Sequence, residues 1–168
     1  MITFVLPSGV NRADVLAFYE AFEENGQVCI GFQNHGDYDV WLQGMRNRKT
    51  GKNLPESYVR ENFYLCYDGE ELVGVFSLKF ELTEFLRNFG GHVGYAVKPS
   101  RRNRGFATQM LKQGLEIAKD FGFDRLLAVC DDDNYASEAV ILKNGGLLED
   151  VRFDEAESVF VKRYWIKV

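Results

Sequence analysis

Long uncharged runs are missing from this chain: its longest stretch without Asp, Glu, Lys or Arg is the 12 residues from Asn25 to Gly36. A membrane span needs roughly 18 to 20 apolar residues, so no membrane partner is expected. Cysteine is scarce and scattered, and Cys29, Cys66 and Cys130 show no Cys-x-x-Cys spacing. An odd, dispersed set argues against a disulfide framework and against a thiolate zinc site; the three read as small buried hydrophobes in a reducing compartment. The first residues, Met1-Ile2-Thr3-Phe4-Val5-Leu6-Pro7, carry neither the basic segment nor the long apolar stretch of a secretory signal, so a cytoplasmic address is expected. Excess positive charge is lacking as well. Against 20 Lys and Arg stand 25 Asp and Glu, a net charge of -5, which disfavours a general nucleic-acid or anionic-membrane surface. Nor does the chain contain G-x-x-x-x-G-K-[ST] or G-x-G-x-x-G, which removes the P-loop and dinucleotide-fold readings.

What is present is an ordinary globular composition. Of 168 residues, 46% are apolar and 27% charged, with 14 Phe and 8 Tyr; that is too much buriable area for a disordered segment and a length suited to one domain. Against the acidic background, Lys98, Arg101, Arg102 and Arg104 place four cations within seven residues. This local reversal of sign is the first functional clue.

Periodicity supplies the framework. Asn11 is placed to cap a helix over about 12–24, with Val15, Leu16, Tyr19 and Phe22 at helical spacing and Gly26 as its stop. A second helical signal covers 39–48, with Trp41 and Met45 one turn apart, until Gly51, Asn53 and Pro55 break it. Two β-rich runs, 63–67 and 72–80, flank Asp68-Gly69-Glu70-Glu71, a hairpin signal. The run 92–97 continues the meander, with Val93, Tyr95 and Val97 alternating against His92, Gly94 and Ala96. One face of that strand is bulky and the other nearly bare, which lets a ligand approach the backbone. A helix over 105–121 carries Met110, Leu111, Leu115 and Ala118 as its apolar stripe. A buried strand over 125–130, a helix over 135–143 ended by Asn144-Gly145-Gly146, and a β-rich run over 158–168 complete the order. Glu149, Asp150, Asp154, Glu155 and Glu157 read as a solvated loop. The sequence of elements fits an α/β chain with one sheet and helices packed on it; the last run is suited either to close that sheet or to pair across a dimer.

The segment 92–108, HVGYAVKPSRRNRGFAT, is a strand, a proline-limited turn, a basic glycine-containing loop and a helix start. The first amides of a helix lack intrahelical acceptors and the dipole there favours anions, so small residues at Gly105 and Ala107 can bring N–H groups against a phosphate. Each such charge-assisted bond is worth about 1.5 to 3 kcal/mol, against about 1 kcal/mol for an exposed arginine. The backbone cradle therefore dominates, and the arginines steer. Asp131, Asp132 and Asp133 do not make a metal site: adjacent carboxylates on one short loop cannot all converge on an ion without partners, and no His is near.

Arg102-x-x-Gly105-x-Ala107, following a strand that ends Gly94-Tyr95-Ala96-Val97-x-Pro99, resembles the pyrophosphate-binding motif Q/R-x-x-G-x-G/A of the GNAT superfamily of acyl-CoA-dependent N-acetyltransferases. Asn134 resembles the Asn that in this family makes a second CoA contact after the next strand. Asn134, Ser137, Val140, Lys143 and Gly145 partly meet the family pattern N-x-x-A-x-x-L-Y-x-K-x-G-F, with Ile141 where many members have Tyr and Gly146 where they have Phe. About the last hundred residues match in order and spacing.

The resemblance implies an α+β fold over 1–168: a mixed, mostly antiparallel twisted sheet of about six to seven strands with helices on both faces. Residues 1–60 would supply acceptor-side helices, and 61–168 the acyl-CoA core. It implies acetyl-CoA as cosubstrate, without metal, and a small-molecule or peptide amine as acceptor, in a monomer or homodimer. Backbone groups of Tyr95, Ala96 and Val97 would meet the pantetheine. Arg102, Asn103, Arg104, Gly105, Phe106, Ala107 and Thr108 would surround the pyrophosphate, with Asn134 and Lys143 as further cofactor contacts. His92 begins the strand that in the family lines the acyl site, and its pKa range suits a general base; a sheet-edge histidine that only packs and hydrogen-bonds is the competing reading. Glu81 and Glu84 are weaker candidates. His35 carries no motif. Ile141, seven residues after Asn134, is expected to return to the same helix face and look toward the thioester, with Ser137 or an ordered water offering the hydrogen bond to sulfur that a Tyr would have given. The rival to an N-acetyltransferase is a non-catalytic CoA-binding sensor or interaction module.

Overall fold

Strand pairing is set by alternation of apolar side chains. In the computed structural model, which describes residues 2–32 and 37–168 and so leaves His35 outside, Ile2–Val5 (β1) pairs with Glu61–Asp68 (β2). Strand β2 turns through Asp-Gly into Glu71–Lys79 (β3), and β3 pairs with Val93–Val97 (β4). This sheet has order β1-β2-β3-β4 and is antiparallel throughout. Gly69 sits at φ 62°, the left-handed geometry that the hairpin turn requires.

Both faces of this sheet are covered, so β2 and β3 are buried almost end to end. Phe63, Leu65 and Tyr67 face one core with Arg12–Glu23 (α1) and Tyr38–Thr50 (α2). Tyr64, Cys66, Phe76 and Leu78 face the other, built on Phe106–Asp120 (α3) and Tyr135–Lys143 (α4). Asn11 stands at the start of α1 without capping it. Its carboxamide oxygen accepts from Ser8 and its amide donates to Tyr67 Oη. Phe18 is buried where Leu16 was expected, and Leu16 is exposed.

The sheet is not continuous. Arg125–Asp131 (β5), Leu147–Asp154 (β6) and Val159–Lys167 (β7) form a second antiparallel sheet of order β5-β7-β6, so the single mixed sheet expected from the sequence is instead two, with seven strands among the described residues. Glu149, Asp150 and Asp154 lie in β6, not in a solvated loop, and Arg163 of β7 holds Asp150 and Glu149 at 2.8 and 2.9 Å. The final strand is central in its sheet rather than a free edge.

At the seam, β4 approaches β5 through one residue. The His92 N–H donates to Leu127 O at 2.8 Å, and His92 Nδ1 accepts from the Leu127 N–H at 2.9 Å. Gly91, at φ 71°, lets the chain pass there, because a Cβ would lie 2.6 Å from Leu127 O. Beyond this clip no ladder joins Val93–Val97 to β5 among the described residues, and the strands part. The opening they leave positions the site.

Candidate active site

The helices that follow β4 and β5 begin differently. Helix α3 starts at Gly105, in the left-handed region at φ 79°, with no side-chain cap and no acid in its first turn. Its first internal bond is Gln109 N–H to Gly105 O at 3.1 Å, so the amides of Phe106, Ala107 and Thr108 have no helical acceptor. Asn103, at φ 61°, and Gly105 are both left-handed in this exposed loop, and a Cβ at Gly105 would meet only Gln109 Nε2, at 3.9 Å. An uncapped, acid-free helix start of this kind suits an anion. Helix α4, by contrast, caps itself: Asn134 Oδ1 accepts from Ser137 N–H at 3.1 Å.

The basic loop is partly committed within the protein. Glu71 accepts from Arg101, and from Lys98 at 3.4 Å, and these bonds lower the Glu71 pKa. Arg102 donates to Val97 O at 3.2 Å and to Gln27 Oε1 at 2.8 Å, with its guanidinium over the Phe22 ring. It thereby ties the phosphate loop to the segment after α1.

In the opening between β4 and β5, Tyr95 reaches α4. Its hydroxyl lies 2.9 Å from Ser137 Oγ, and burial pushes the phenol up to about 12, the Ser137 bond opposing that shift. A neutral phenol paired with a serine is a hydrogen-bond donor placed on the cleft wall. Ile141 does not face this space. It is 1% exposed, packed against Gly146 in the core, so the expectation that it looks toward the thioester is corrected: the helix buries that face under β5 and α3.

The cleft itself, about 600 Å³, runs from Asn134, Ser137, Tyr95 and Gly94 to Arg48, Glu61 and Lys79. Glu61 is buried at its far end, 2.7 Å from Arg48 Nη1 and 3.7 Å from Lys79 Nζ. Burial lowers the Lys79 pKa, with Glu61 opposing. Tyr58 stacks under the Arg48 guanidinium at 4.5 Å. None of these residues carries a sequence motif, and they come from α2, β2, β3 and the α2–β2 loop; only the apolar alternation that pairs Glu61 with Lys79 across β2 and β3 hints at the group.

The profile of the acetyltransferase (GNAT) family matches residues 15–145, more than half of the chain. The chain belongs to the GNAT acetyltransferase family. No curated protein sequence matches significantly. Solved GNAT structures share the fold at low identity. A Salmonella typhimurium acetyltransferase that modifies the N-terminal serine of a 50S ribosomal subunit protein is 17% identical, with TM-score 0.73 over 99% of this chain and 95% of that one. The microcin C7 self-immunity acetyltransferase MccE, solved with acetyl-CoA and AMP, is 17% identical, with TM-score 0.74 over 99% and 92%. Mycobacterium smegmatis RimJ, solved with CoA-disulfide, is 18% identical, with TM-score 0.77 over 99% and 82%.

Within this GNAT fold the residues singled out from sequence separate. Tyr95, Asn134 and Ser137 meet in the cleft, while Ala96 and Val97 continue β4 beside it toward the loop of Arg102 to Thr108. Lys143 lies at the far end of α4, exposed and about 13 Å along the helix from Asn134. His92 does not line the cleft. It is 8% exposed, between the Phe123 and Trp165 rings. Burial, with Arg87 and Lys79 adding to it, lowers its pKa to about 4. Glu81 and Glu84 are exposed and outside the cleft. Cys29, Cys66 and Cys130 are all buried, and Cys130 contributes to the cleft wall.

Proposed function

We propose that this GNAT protein is an N-acetyltransferase that moves an acetyl group from acetyl-CoA to an amine by direct attack. The observation that carries the reading is the uncapped start of α3 beside the opening between β4 and β5. The amides of Phe106, Ala107 and Thr108, with Asn103, Arg104 and Gly105 around them, bind the pyrophosphate, and Arg102 clamps it after leaving Gln27. Asn134 offers its amide from the cap of α4, while Tyr95, Ala96 and Val97 present backbone groups to the pantetheine arm.

In the transfer, the amine nitrogen forms a bond to the thioester carbon, and the carbon–sulfur bond breaks. The proton lost by nitrogen goes to solvent in the cleft. The departing thiolate takes a hydrogen bond from the Tyr95–Ser137 hydroxyl pair and its proton from solvent, because a phenol held near 12 keeps its own. A thiol pKa of about 8.5 makes this assistance useful rather than indispensable near pH 8. His92 acts as the clip between sheets: its Nδ1 is occupied, and a group with pKa about 4 is a weak base at neutral pH.

Calorimetry with acetyl-CoA, followed by thiol release over a panel of amines, tests the reading. Binding and acetylation of at least one class are expected. Tight binding with no transfer to any amine would favour the sensor or interaction module instead, and absence of binding would sink both.

A further inference from the structure

The far end of the cleft holds more positive charge than its carboxylate neutralises. Arg48 and Lys79 share Glu61, which leaves a net charge of about +1 on a partly buried wall. The two cations are not equally satisfied. Arg48 has its 2.7 Å bond to Glu61 and rests on Tyr58. Lys79 has three N–H donors to place, yet among the described residues its polar neighbours are Ser77 Oγ at 3.4 Å and Glu61 at 3.7 Å, both at or beyond the long limit of a hydrogen bond. Holding two like charges out of water is costly without further compensation. A salt bridge needed only for folding would be served by one of them.

Their position relative to the reacting end is fixed by register. Ser77 pairs with Gly94 across β3 and β4, and Glu61 pairs with Lys79 across β2 and β3. Lys79 is thus two residues, about 7 Å, along β3 from the level of the opening beside Tyr95. That span is a few covalent bonds. Phe63, Phe85 and Ile30 line the cleft as well, so the passage from Gly94 to Lys79 has apolar walls and a cationic end.

We propose that the acceptor is a small primary amine that carries an anionic group, carboxylate or phosphate, a few bonds from its nitrogen, and that Lys79 with Arg48 binds that group. The proposal rests on the N-acetyltransferase reading given above. A polyamine would bring like charge to the same wall, and a neutral amine would leave the Lys79 donors unmet.

The test uses the whole chain and matched pairs. With acetyl-CoA, thiol release is compared for α-amino acids against their carboxamides, and for aminoethyl phosphate against ethanolamine. In parallel, calorimetry on CoA-loaded protein compares N-acetyl amino acids with N-acetyl amino amides, a readout that needs no turnover. The anionic member is expected to give a kcat/KM or affinity at least tenfold higher, with the better of the carboxylate and phosphate arms naming the group. Lys79→Met should raise KM for the anionic acceptor about tenfold or more, leave acetyl-CoA affinity unchanged, and erase the preference; Lys79→Arg should restore most of it. Equal use of both members, best use of a polyamine, or an unchanged preference in Lys79→Met would overturn the proposal while leaving acetyl transfer intact. If no amine is acetylated yet the N-acetyl amino acid binds over its amide, the transfer reading fails and the anion site stands. Should Lys79→Met not fold, the matched pairs on the parent protein decide alone.

Discussion

The start of α3 and the far end of the cleft are made of different material. At the start of α3 the unpaired groups are main-chain amides, presented by one continuous segment that turns at Gly105. At the far end of the cleft stand the side chains of Arg48, Glu61 and Lys79, brought together from a helix and two strands. A backbone site leaves a short motif in the sequence, because its requirements are conformational and local. A side-chain site assembled by tertiary structure leaves none.

Gly105→Glu attacks the backbone end most directly and has the largest expected effect. A side chain forced to φ near 79° with a carboxylate at the anion site should lower CoA affinity more than about 100-fold in a folded protein, read by calorimetry and circular dichroism. Retained affinity would mean that the cradle is elsewhere. Tyr95→Phe probes the middle of the cleft: kcat is expected to fall about 10- to 30-fold with CoA affinity within twofold of the parent, and the deficit should stay flat between about pH 6 and 8, where a phenol held near 12 does not titrate.

His92→Asn sharpens the contrast between chemistry and architecture. The imidazole pKa is lowered from about 6.5 in the unfolded chain to about 4 in the fold. The unfolded state therefore takes the proton first, and stability falls as pH drops through that window. Asn retains an acceptor for the Leu127 N–H but does not titrate, so its melting temperature should vary less between pH 6.5 and 4, while neutral-pH turnover stays within a few-fold. A turnover loss of 100-fold or more would return His92 to the role of base. The smallest effects separate neighbouring arginines. Arg102→Ala should weaken CoA binding by about 1 kcal/mol, near fivefold, and flatten its salt dependence. Arg101→Ala, whose parent side chain is already paired with Glu71, should change it less than twofold.

Much of the fold was readable because its signals are local. The helix over 135–143 matches α4 residue for residue, and Asp-Gly marks the β2–β3 turn. Strand β6 escaped because Glu149, Asp150 and Asp154 interrupt its apolar positions, and a bulge between Leu148 and Asp150 shifts the alternation. The break into two sheets escaped because β4 and β5 part after a single contact, His92 with Leu127, and no periodicity encodes where a ladder stops. Ile141 was read on the cleft side by helical geometry alone, whereas the packing of α4 turns that face inward. The Tyr95–Ser137 pair could have been anticipated only by asking which way a strand tyrosine points at an opening.

Strand β6 also bears on how the protein stays out of aggregates. It is the outer strand of its sheet, with Leu148, Val151 and Phe153 exposed, a surface on which another chain could add by hydrogen-bonded pairing. Glu149 and Asp150 stand on that border beside Arg152, with Arg163 paired to both from β7, and the bulge bends the main chain out of a straight template. Charged side chains and a bend are common guards of an open strand, so the acidic run that hides the strand in the sequence serves as its gatekeeper in solution.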